Sequence, residues 1–273
     1  MQSPLDITDT GTGPDAGPET APHYPDLAGK VALVTGGSRG IGAATCRALA
    51  ANGVRVAVGG RDAAALGAVV GAIEAAGGTA LAAPADVTDP AAVDRLRATA
   101  ERALGPVDIL APFAGGQGMP TPTVQLPPER WRSVLDADLT SVFLTVSAFL
   151  PGMIERGSGT VITMASTAGR TPSGANVAYA VAKAGVLMLS RHLAAEVGPH
   201  GIRVNCLSPS AVLNDRMRTS MSAEQLAGLA AAFPLGRIGR AHDVAQAVLF
   251  LASEASSWIT GATLDLTGGR VIL

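Results

Sequence analysis

The sequence of 273 residues predicts an α/β fold in which helices cover both faces of one parallel β-sheet. Short apolar runs that suit buried strands alternate with helical stretches from Lys30 to the end of the chain. A glycine-rich turn joins the first such strand to the first helix, which is typical of a βαβ unit. Neither an internal repeat nor a second apolar core interrupts the alternation, so we expect residues 30–273 to form a single domain.

The composition excludes several classes of protein. The chain has 48% hydrophobic residues, a formal net charge of -2 and no dense run of lysine or arginine, so we expect neither nucleic acid nor a membrane as partner. No uninterrupted apolar run approaches the roughly 20 residues that a membrane helix needs. Cys46 and Cys206 have neither metal-ligand spacing nor a disulfide framework, and we predict two buried thiols and no bound metal. A soluble, cytoplasmic protein with a small-molecule partner is the expectation.

Residues 1–29 differ from the rest of the chain in composition. Pro, Gly, Thr and Asp are frequent there, and the segment carries five acidic groups and no lysine or arginine. Secretion signals and transit peptides carry early positive charge, so neither class fits this segment. We predict a disordered N-terminal extension with no packed structure of its own.

The domain is predicted to begin with a strand at Val31–Thr35, a helix at about 41–52 and a second strand at Val54–Val58. Later helices are predicted at about 62–77, 90–104, 128–150, 177–197, 223–232 and 241–253. Later strands are predicted at Ala80–Ala83, Val107–Ala111, Thr160–Met164, Arg203–Leu207 and Thr263–Leu266. This order of elements continues the parallel sheet to the end of the chain.

The turn between the first strand and the first helix, Thr35–Gly42, has the context that a nucleotide-binding loop requires. Gly36 allows a sharp exit from the strand, Gly40 lets a pyrophosphate approach the backbone, and Gly42 permits close packing of the helix. The helix then turns its unsatisfied N–H groups toward the phosphates. The alternative is a turn that only reverses the chain, because the protein has 33 glycines. The predicted contacts of this turn are Gly36, Ser38, Arg39, Gly40, Ile41 and Gly42.

The end of the second strand indicates which dinucleotide the site prefers. NAD enzymes usually carry Asp or Glu there, but this strand ends in Val-Gly-Gly followed by Arg61. Arg61 and Arg39 could form charge-assisted hydrogen bonds to a 2′-phosphate, so the sequence favours NADP(H) over NAD(H). Each arginine could instead be a solvated surface charge, and Asp62 could offset Arg61. Asp86 and Val87 are predicted to meet the adenine, unless Asp86 only caps the next helix.

Three side chains that suit one proton transfer lie between residues 166 and 183. Tyr179 and Lys183 stand four apart in a predicted helix, so they leave the same face one turn apart. A nearby ammonium favours phenolate over phenol, which makes the tyrosine a usable general acid and base. Ser166 ends the preceding strand-like run, and its hydroxyl could hold a substrate oxygen. Such a site suits a carbonyl becoming an alcohol, although Tyr-x-x-x-Lys alone is a frequent accident in helices.

Several separated motifs together resemble the short-chain dehydrogenase/reductase family, in particular its ketoacyl-carrier-protein-reductase-like members. The glycine turn resembles the family's Thr-Gly-x-x-x-Gly-x-Gly cofactor turn, and Asp86-Val87 resembles its adenine-contacting pair. Ser166, Tyr179 and Lys183 stand at the spacing of its catalytic serine, tyrosine and lysine. Further matches are Ala114-Gly115 in its Asn-Asn-Ala-Gly element, Pro209 to Val212 in its nicotinamide-contacting turn, and Gly261 to Gly269 in its last strand and glycine pair.

The resemblance implies a Rossmann-type doubly wound parallel sheet of about seven strands and a single dinucleotide-binding catalytic domain. It also implies NAD(P)-dependent oxidoreduction with Tyr179 as general acid/base. Family members commonly pair two helices between subunits, and the helices 128–150 and 177–197 are more apolar than one side of a sheet needs, so a homotetramer is expected. The cofactor contacts that the resemblance adds are Ala114, Gly115, Tyr179, Lys183, Pro209 and Val212.

The sequence departs from the family's pattern at three places. Pro112-Phe113 replaces the usual two asparagines before Ala-Gly, so the bracing of the sheet there must differ. Asp138 occupies the place of the fourth catalytic residue, usually an asparagine that is thought to hold a water behind the lysine. An ionised Asp138 would partly cancel the effect of Lys183 on Tyr179; the alternative is a solvated helix residue. Pro209-Ser210 replaces the usual Pro-Gly.

The substrate pocket is predicted to have mainly apolar walls. Segment 209–235 supplies methionine, leucine and phenylalanine side chains, and the loop Gly115–Gln125 forms the opposite wall. The predicted function is therefore NADPH-dependent reduction of a mainly apolar ketone to a secondary alcohol. Two alternatives stay open. One is a nucleotide-binding protein without redox turnover that acts as a sensor or assembly partner, and the other is an enzyme that uses its bound cofactor for epimerisation.

Overall fold

The computed structural model describes residues 22–271, which fold around one sheet of seven parallel strands. The strand order is β3-β2-β1-β4-β5-β6-β7, so the sheet grows in opposite directions from β1. This reversal of strand order is the mark of a doubly wound sheet and confirms the predicted Rossmann-type fold. The strands are β1 Val31–Thr35, β2 Arg55–Gly60, β3 Thr79–Pro84, β4 Ile109–Pro112, β5 Gly159–Met164, β6 Ile202–Pro209 and β7 Thr263–Leu266.

Helices cover both faces of the sheet because alternate residues of each strand point to opposite faces. In β1, Val31 and Leu33 pack with α3, α5 and α6, whereas Ala32 and Val34 pack with α1, α2 and α9. Helices therefore cover both faces of the sheet, as predicted, and an apolar cluster lies on each face. The helices are α1 Gly40–Ala51, α2 Ala63–Ala75, α3 Pro90–Leu104, α4 Pro128–Leu135, α5 Ser141–Arg156, α6 Val177–Val197, α7 Asp215–Ser220, α8 Ala223–Ala231 and α9 Ala241–Ala252.

Residues 22–29 depart from the prediction of an extension without packed structure. A short 3-10 turn, Pro25–Leu27, inserts Leu27 fully into the core beside α1 and β2. Tyr24 N donates to Asn52 Oδ1 at 2.8 Å, and Asp26 accepts from the backbone of Glu254 at 2.9 Å. The packed domain thus begins before Lys30, because the burial of Leu27 and these two hydrogen bonds hold the segment against the rest of the protein. The prediction for residues 1–21 lies outside the described residues.

The predicted helix 128–150 is longer and less regular than expected. A π-helical turn, Asp136–Thr140, joins α4 to α5, and the helix continues to Arg156. Pro151 does not end it, because the carbonyl that this proline leaves unbonded belongs to the exposed Ser147, where water can satisfy it. Helix α7 was not predicted; Asn214 caps it by accepting from Met217 N at 3.1 Å.

By length and composition alone, one helix within residues 22–271, Pro128–Arg156, could cross a membrane. Its buried side chains, which include Val142, Val146, Phe149 and Met153, pack with the strands and with α3 and α6. This is the packing of a core helix in a globular α/β fold.

Candidate active site

The predicted site residues gather at the carboxyl edge of the sheet. The glycine turn follows β1, Ala114-Gly115 follows β4, Ser166 follows β5, and Pro209 ends β6. Strand order reverses between β1 and β4, and the crevice at such a switch point is where parallel sheets bind ligands. A separate cavity of about 560 Å³ lies at the other edge of the sheet, lined by residues that include Lys30, Asp108 and Trp258. None of the predicted site residues lines that cavity.

The first turns of α6 hold the tyrosine and the lysine together. Asn176 caps this helix by accepting from Tyr179 N at 2.9 Å. One turn later, Lys183 Nζ lies 5.5 Å from the centroid of the Tyr179 ring and donates to Met164 O at 3.1 Å. Lys183 is buried, so its ammonium lies behind the phenol in an environment that screens charge poorly.

Asp138 is fully buried in the π turn and contacts three donors. Its Oδ1 lies 2.6 Å from Gly116 N and 3.2 Å from Lys183 Nζ, and its Oδ2 accepts from Gln117 N at 3.1 Å. The alternative of a solvated helix residue is therefore wrong. An asparagine could not reproduce this arrangement, because its NH₂ group would face another donor. Aspartate suits this position because both of its carboxylate oxygens can accept hydrogen bonds from the surrounding donors.

The glycine turn has the backbone shape that a dinucleotide phosphate needs. Gly36 and Gly40 have φ values of 68° and 52°, which favour glycine. A Cβ on Gly42 would overlap the Gly36 carbonyl, so the helix can approach the turn only because this residue is glycine. A Cβ on Gly40 would meet nothing within 4 Å, which leaves open space beside the N-terminus of α1. The residues present therefore fit a pyrophosphate.

The charged groups near this turn are exposed, and only some of their contacts agree with the predictions. Arg39 lies 3.7 Å from Asp62, so Asp62 pairs with Arg39 in place of the expected Arg61. Hydrogen bonds from the Thr88 backbone N–H and then its hydroxyl lower the pKa of Asp86, with a smaller contribution from the charge of Arg61. The predicted alternative role of Asp86 as a cap is wrong, because Asp89 caps α3 by accepting from Ala91 N at 3.0 Å.

The remaining predicted contacts are positioned by the ends of β3, β4 and β6. Val87 is buried in the core beneath α3, so its side chain packs with the protein. Ala114 N donates to the Thr35 hydroxyl at 3.2 Å, which joins the residues after β4 to the end of β1. Val212 forms an isolated bridge with Gly239 beside the end of β6.

Two segments flank the tyrosine as walls of the crevice. Segment 209–235 forms α7 and α8 with half-buried Met217, Met221, Leu226 and Leu229, while Phe233 is buried. On the other side, Asn176 Nδ2 donates to Gln117 O at 2.8 Å and to Met119 O at 2.9 Å. Asn176 is not among the site residues predicted from the sequence. An asparagine immediately before a predicted helix is a signal for a cap, and it could have drawn attention to this residue.

Comparisons with known proteins agree with this geometry. Residues 36–270 match a family profile described as Enoyl-(Acyl carrier protein) reductase. The chain is 38% identical over 248 residues to 3-oxoacyl-(acyl-carrier-protein) reductase FabG of Escherichia coli strain K12, covering 90% of this chain and 98% of that protein. It is also 38% identical over 247 residues to cis-4-hydroxycyclohexanecarboxylate dehydrogenase of Sinomonas cyclohexanicum, covering 89% and 97%.

The same relationship is visible in three dimensions. The crystal structure of levodione reductase matches with a TM-score of 0.85 and 31% identity, over 89% of this chain and 98% of that chain. The crystal structure of gox2181 matches with a TM-score of 0.86 and 32% identity, over 90% and 98%. Three findings lead to one conclusion: the shared fold, the sequence identity along nearly the whole length of each relative, and the matching motifs. The chain belongs to the short-chain dehydrogenase/reductase family and is an oxidoreductase that acts on hydroxyl or carbonyl groups.

Proposed function

We propose that this protein is an NADPH-dependent reductase that converts a mainly apolar ketone to a secondary alcohol. The observation that carries the proposal is the row formed by the buried Asp138 and Lys183 and the half-buried Tyr179, in which the Lys183 ammonium lies 5.5 Å from the centroid of the phenol ring. A buried charge relay that ends at a phenol, beside a glycine turn, suits proton transfer to a carbonyl oxygen.

The chain's own residues perform the proton chemistry in this proposal. A bound nicotinamide supplies the hydride that reduces the carbonyl carbon. The Ser166 hydroxyl holds the carbonyl oxygen, and the Tyr179 phenol donates the proton to that oxygen as it gains negative charge. Lys183 stabilises the phenolate that remains, and Asp138 holds Lys183 in position. Tyr179 and Lys183 would also hold the nicotinamide half of a bound cofactor.

The preference for NADPH rests on two exposed arginines. Arg39 belongs to the glycine turn and Arg61 directly follows β2, where we expect the adenosine ribose of a bound dinucleotide, and β2 ends in glycine without the carboxylate that an NAD enzyme usually carries. Guanidinium groups bind phosphate through charge-assisted hydrogen bonds. The other cofactor contacts in the proposal are Gly36, Ser38, Gly40, Ile41, Gly42, Asp86, Val87, Ala114, Gly115, Pro209 and Val212.

The substrate is proposed to be mainly apolar because the half-buried side chains of α7 and α8 are those of methionine, leucine and alanine. Arg216 and Arg218 on the same segment are exposed. The relatives are named for reactions on an acyl carrier protein, a cyclohexanecarboxylate and levodione, so the family accommodates varied carbon skeletons around the same chemistry.

We also propose that one cytoplasmic catalytic domain assembles as a homotetramer through the helices 128–156 and 177–197. Phe143 is 53% exposed and Met188 is 61% exposed, and both lie on the outer faces of these helices. Exposed apolar side chains on adjacent helices favour pairing with a second copy. A monomeric mass by light scattering at micromolar concentration would contradict this assembly.

The decisive assay incubates the purified protein with NADPH and a panel of apolar ketones while cofactor absorbance is recorded. We expect NADPH oxidation with at least one ketone and a secondary alcohol as product. Tight NADPH binding without turnover on the panel would favour the non-redox sensor. Interconversion of stereoisomers without a net change in absorbance would favour epimerisation.

A further inference from the structure

Asn176 makes contacts that extend beyond capping a helix. It is 1% exposed, and its side chain makes three hydrogen bonds. The carbonyl oxygen accepts from Tyr179 N, and the amide nitrogen donates to the carbonyls of Gln117 and Met119. One buried side chain therefore joins the helix that carries the tyrosine to the loop that forms one wall of the crevice.

The two carbonyls that Asn176 holds lie on either side of Gly118, and Gly118 lies against the ring of Tyr179. A Cβ added to Gly118 would lie 3.1 Å from Cδ1 and 3.2 Å from Cε1 of that ring. Such a distance is shorter than an ordinary contact between carbon atoms, which is about 3.5 to 4.0 Å. The backbone of Gly118 thus packs directly against the aromatic ring.

The same loop is held from its other side. The Asp138 carboxylate accepts from Gly116 N and Gln117 N, and Arg130 donates to the Gln117 side chain at 2.8 Å. Asp138 and Arg130 lie on the helix 128–156, whereas Asn176 lies at the start of α6. Asp138 also reaches α6 through Lys183, but Asn176 joins the loop directly to the backbone N–H of Tyr179, so we expect its contacts to fix the distance between Gly118 and the ring.

We propose that Asn176 is a positioning residue for the reduction: by clamping Gln117 and Met119 it presses Gly118 against the Tyr179 ring and fixes the direction of the phenol. This inference rests on the proposed function, because it concerns the proton that Tyr179 donates. Proton transfer needs the donor within hydrogen-bond reach of the substrate oxygen, and a misplacement of about 1 Å can cost about 100-fold in rate.

Two substitutions separate the clamp from the cap. Asn176→Ser keeps a good helix cap, since serine and asparagine are similar at this position, but its short side chain lacks the amide that reaches the loop. Asn176→Ala loses both functions. If the clamp positions the phenol, both variants lose about 100-fold in kcat. The melting temperature should fall further in Asn176→Ala than in Asn176→Ser, and the Kd for NADPH should stay unchanged in both.

A spectroscopic measurement tests the same contact without any substrate. The chain has two tyrosines, Tyr24 and Tyr179, so ring-labelled tyrosine gives two sets of NMR signals that Tyr179→Phe assigns. We expect the Tyr179 ring signals to move in Asn176→Ser while those of Tyr24, on the other side of the sheet, stay in place. Unmoved Tyr179 signals would overturn the inference even if no ketone substrate were found.

A matched pair of glycine substitutions tests the contact from the loop side. Gly118→Ala adds a methyl group against the ring, and the φ of Gly118 is not among the positive values that only glycine adopts readily. Gly174→Ala is the control, because its Cβ would meet nothing within 4 Å. We expect Gly118→Ala to shift the Tyr179 signals and lower kcat, and Gly174→Ala to do neither. Wild-type kcat in both Asn176→Ser and Gly118→Ala would overturn the positioning role, whereas an inactive wild-type protein would count only against the proposed function.

Discussion

The two halves of the crevice are built differently, although both depend on charge. In the catalytic half, the side chains of Asp138 and Lys183 are 0% and 5% exposed and lie 3.2 Å apart. In the cofactor half, the paired side chains of Arg39 and Asp62 are 72% and 51% exposed and lie 3.7 Å apart. The first pair is fixed by the interior of the protein, whereas the second is surrounded by water.

This difference in burial determines how much each ion pair contributes to the stability of the protein before a ligand binds. Removing one partner of a buried pair leaves an uncompensated charge, which costs about 3 to 5 kcal/mol, whereas surface pairs contribute about 0 to 1 kcal/mol. The catalytic half is therefore preorganised, and removing one partner of its ion pair should lower the free energy of unfolding. Under the proposed NADPH preference, we expect the exposed arginines of the cofactor half to exchange water for a phosphate, because an exposed ion pair such as Arg39–Asp62 costs little to break.

The largest expected effect comes from removing the proton donor of the catalytic half. Tyr179→Phe keeps the ring against Gly118 but lacks the phenol hydroxyl, so we expect a loss of about 100- to 10,000-fold in kcat. Cofactor affinity should be unchanged, because the ring of residue 179 stays and only the proton donor is removed. Steady-state kinetics and NADPH titration measure both quantities. Retention of more than about a tenth of the rate would show that another group donates the proton.

The next effect compares the two ion pairs directly through unfolding. Asp138→Ala leaves Lys183 buried without its carboxylate and frees two loop N–H groups, so we expect a loss of about 3 to 5 kcal/mol in the free energy of unfolding. Arg39→Ala is the matched change in the exposed pair and should cost at most about 1 kcal/mol. Denaturant titration of both variants provides the measurement. Equal losses would mean that the two halves do not differ as their burial indicates.

A smaller and more selective effect is expected from Arg61→Ala. Losing one hydrogen bond to a charged phosphate costs about 1.5 to 3 kcal/mol, so affinity for NADPH should fall by a factor of roughly 10 to 150. Affinity for NADH, which lacks the 2′-phosphate, should barely change. Fluorescence titration with both cofactors gives the comparison. An equal loss for the two would exclude the proposed contact.

The smallest effect uses one cysteine in each half. Cys46 lies beneath the glycine turn, where burial raises the pKa of its thiol from 9.0 to about 12. Cys206 lies near Thr163 and Ser190 in the catalytic half, and burial likewise raises its pKa. We expect neither thiol to react with a disulfide reagent until the protein opens. Single-cysteine variants would show which half opens first, and rapid labelling of native Cys206 would contradict a rigid catalytic half.

The raised pKa values also fix the sign of one pH dependence. Above about pH 9 the unfolded chain loses its thiol protons while the folded protein keeps them, so this contribution to stability falls as pH rises from about 9 to about 12. Replacing Cys46 by alanine should flatten this alkaline decline in the unfolding free energy. An unchanged alkaline decline in the variant would show that other groups dominate it.

The parts of the fold that sequence predicts well are those where periodicity alone decides the structure. Strand β1 and helix α6 have the predicted bounds, Val31–Thr35 and Val177–Val197, because each has a clear period and a clear end. Helix α7 was missed since six residues are too few for a period to show. The insertion of Leu27 into the core could not be predicted, because it depends on what lies opposite in space.

The candidate site shows the same limit. The spacing of Tyr179 and Lys183 within one helix was readable, because four residues make one turn. The pairing of Asp62 with Arg39 and the contact of Asn176 with the 117–119 loop join segments that are distant in sequence. No local pattern contains such contacts. The same residue type suits a surface charge, a helix cap or one of these longer-range contacts, so the sequence alone does not distinguish between them.

The π turn at Asp136–Thr140 has a consequence for how this helix can change. An α-helix advances by about 100° per residue, so one residue more or fewer rotates everything beyond it by that angle. The π turn absorbs an additional residue in this way, as π turns near functional sites often do. The side chains after the π turn are therefore rotated from the positions that a continuous α-helix would give them. This rotation lets Asp138 point at the loop while Val142 and Phe149 still face the sheet. Deleting one residue from this turn would rotate one part of the helix relative to the other and swing either Asp138 or the apolar face away from its partner, so we expect the helix not to tolerate a change in length.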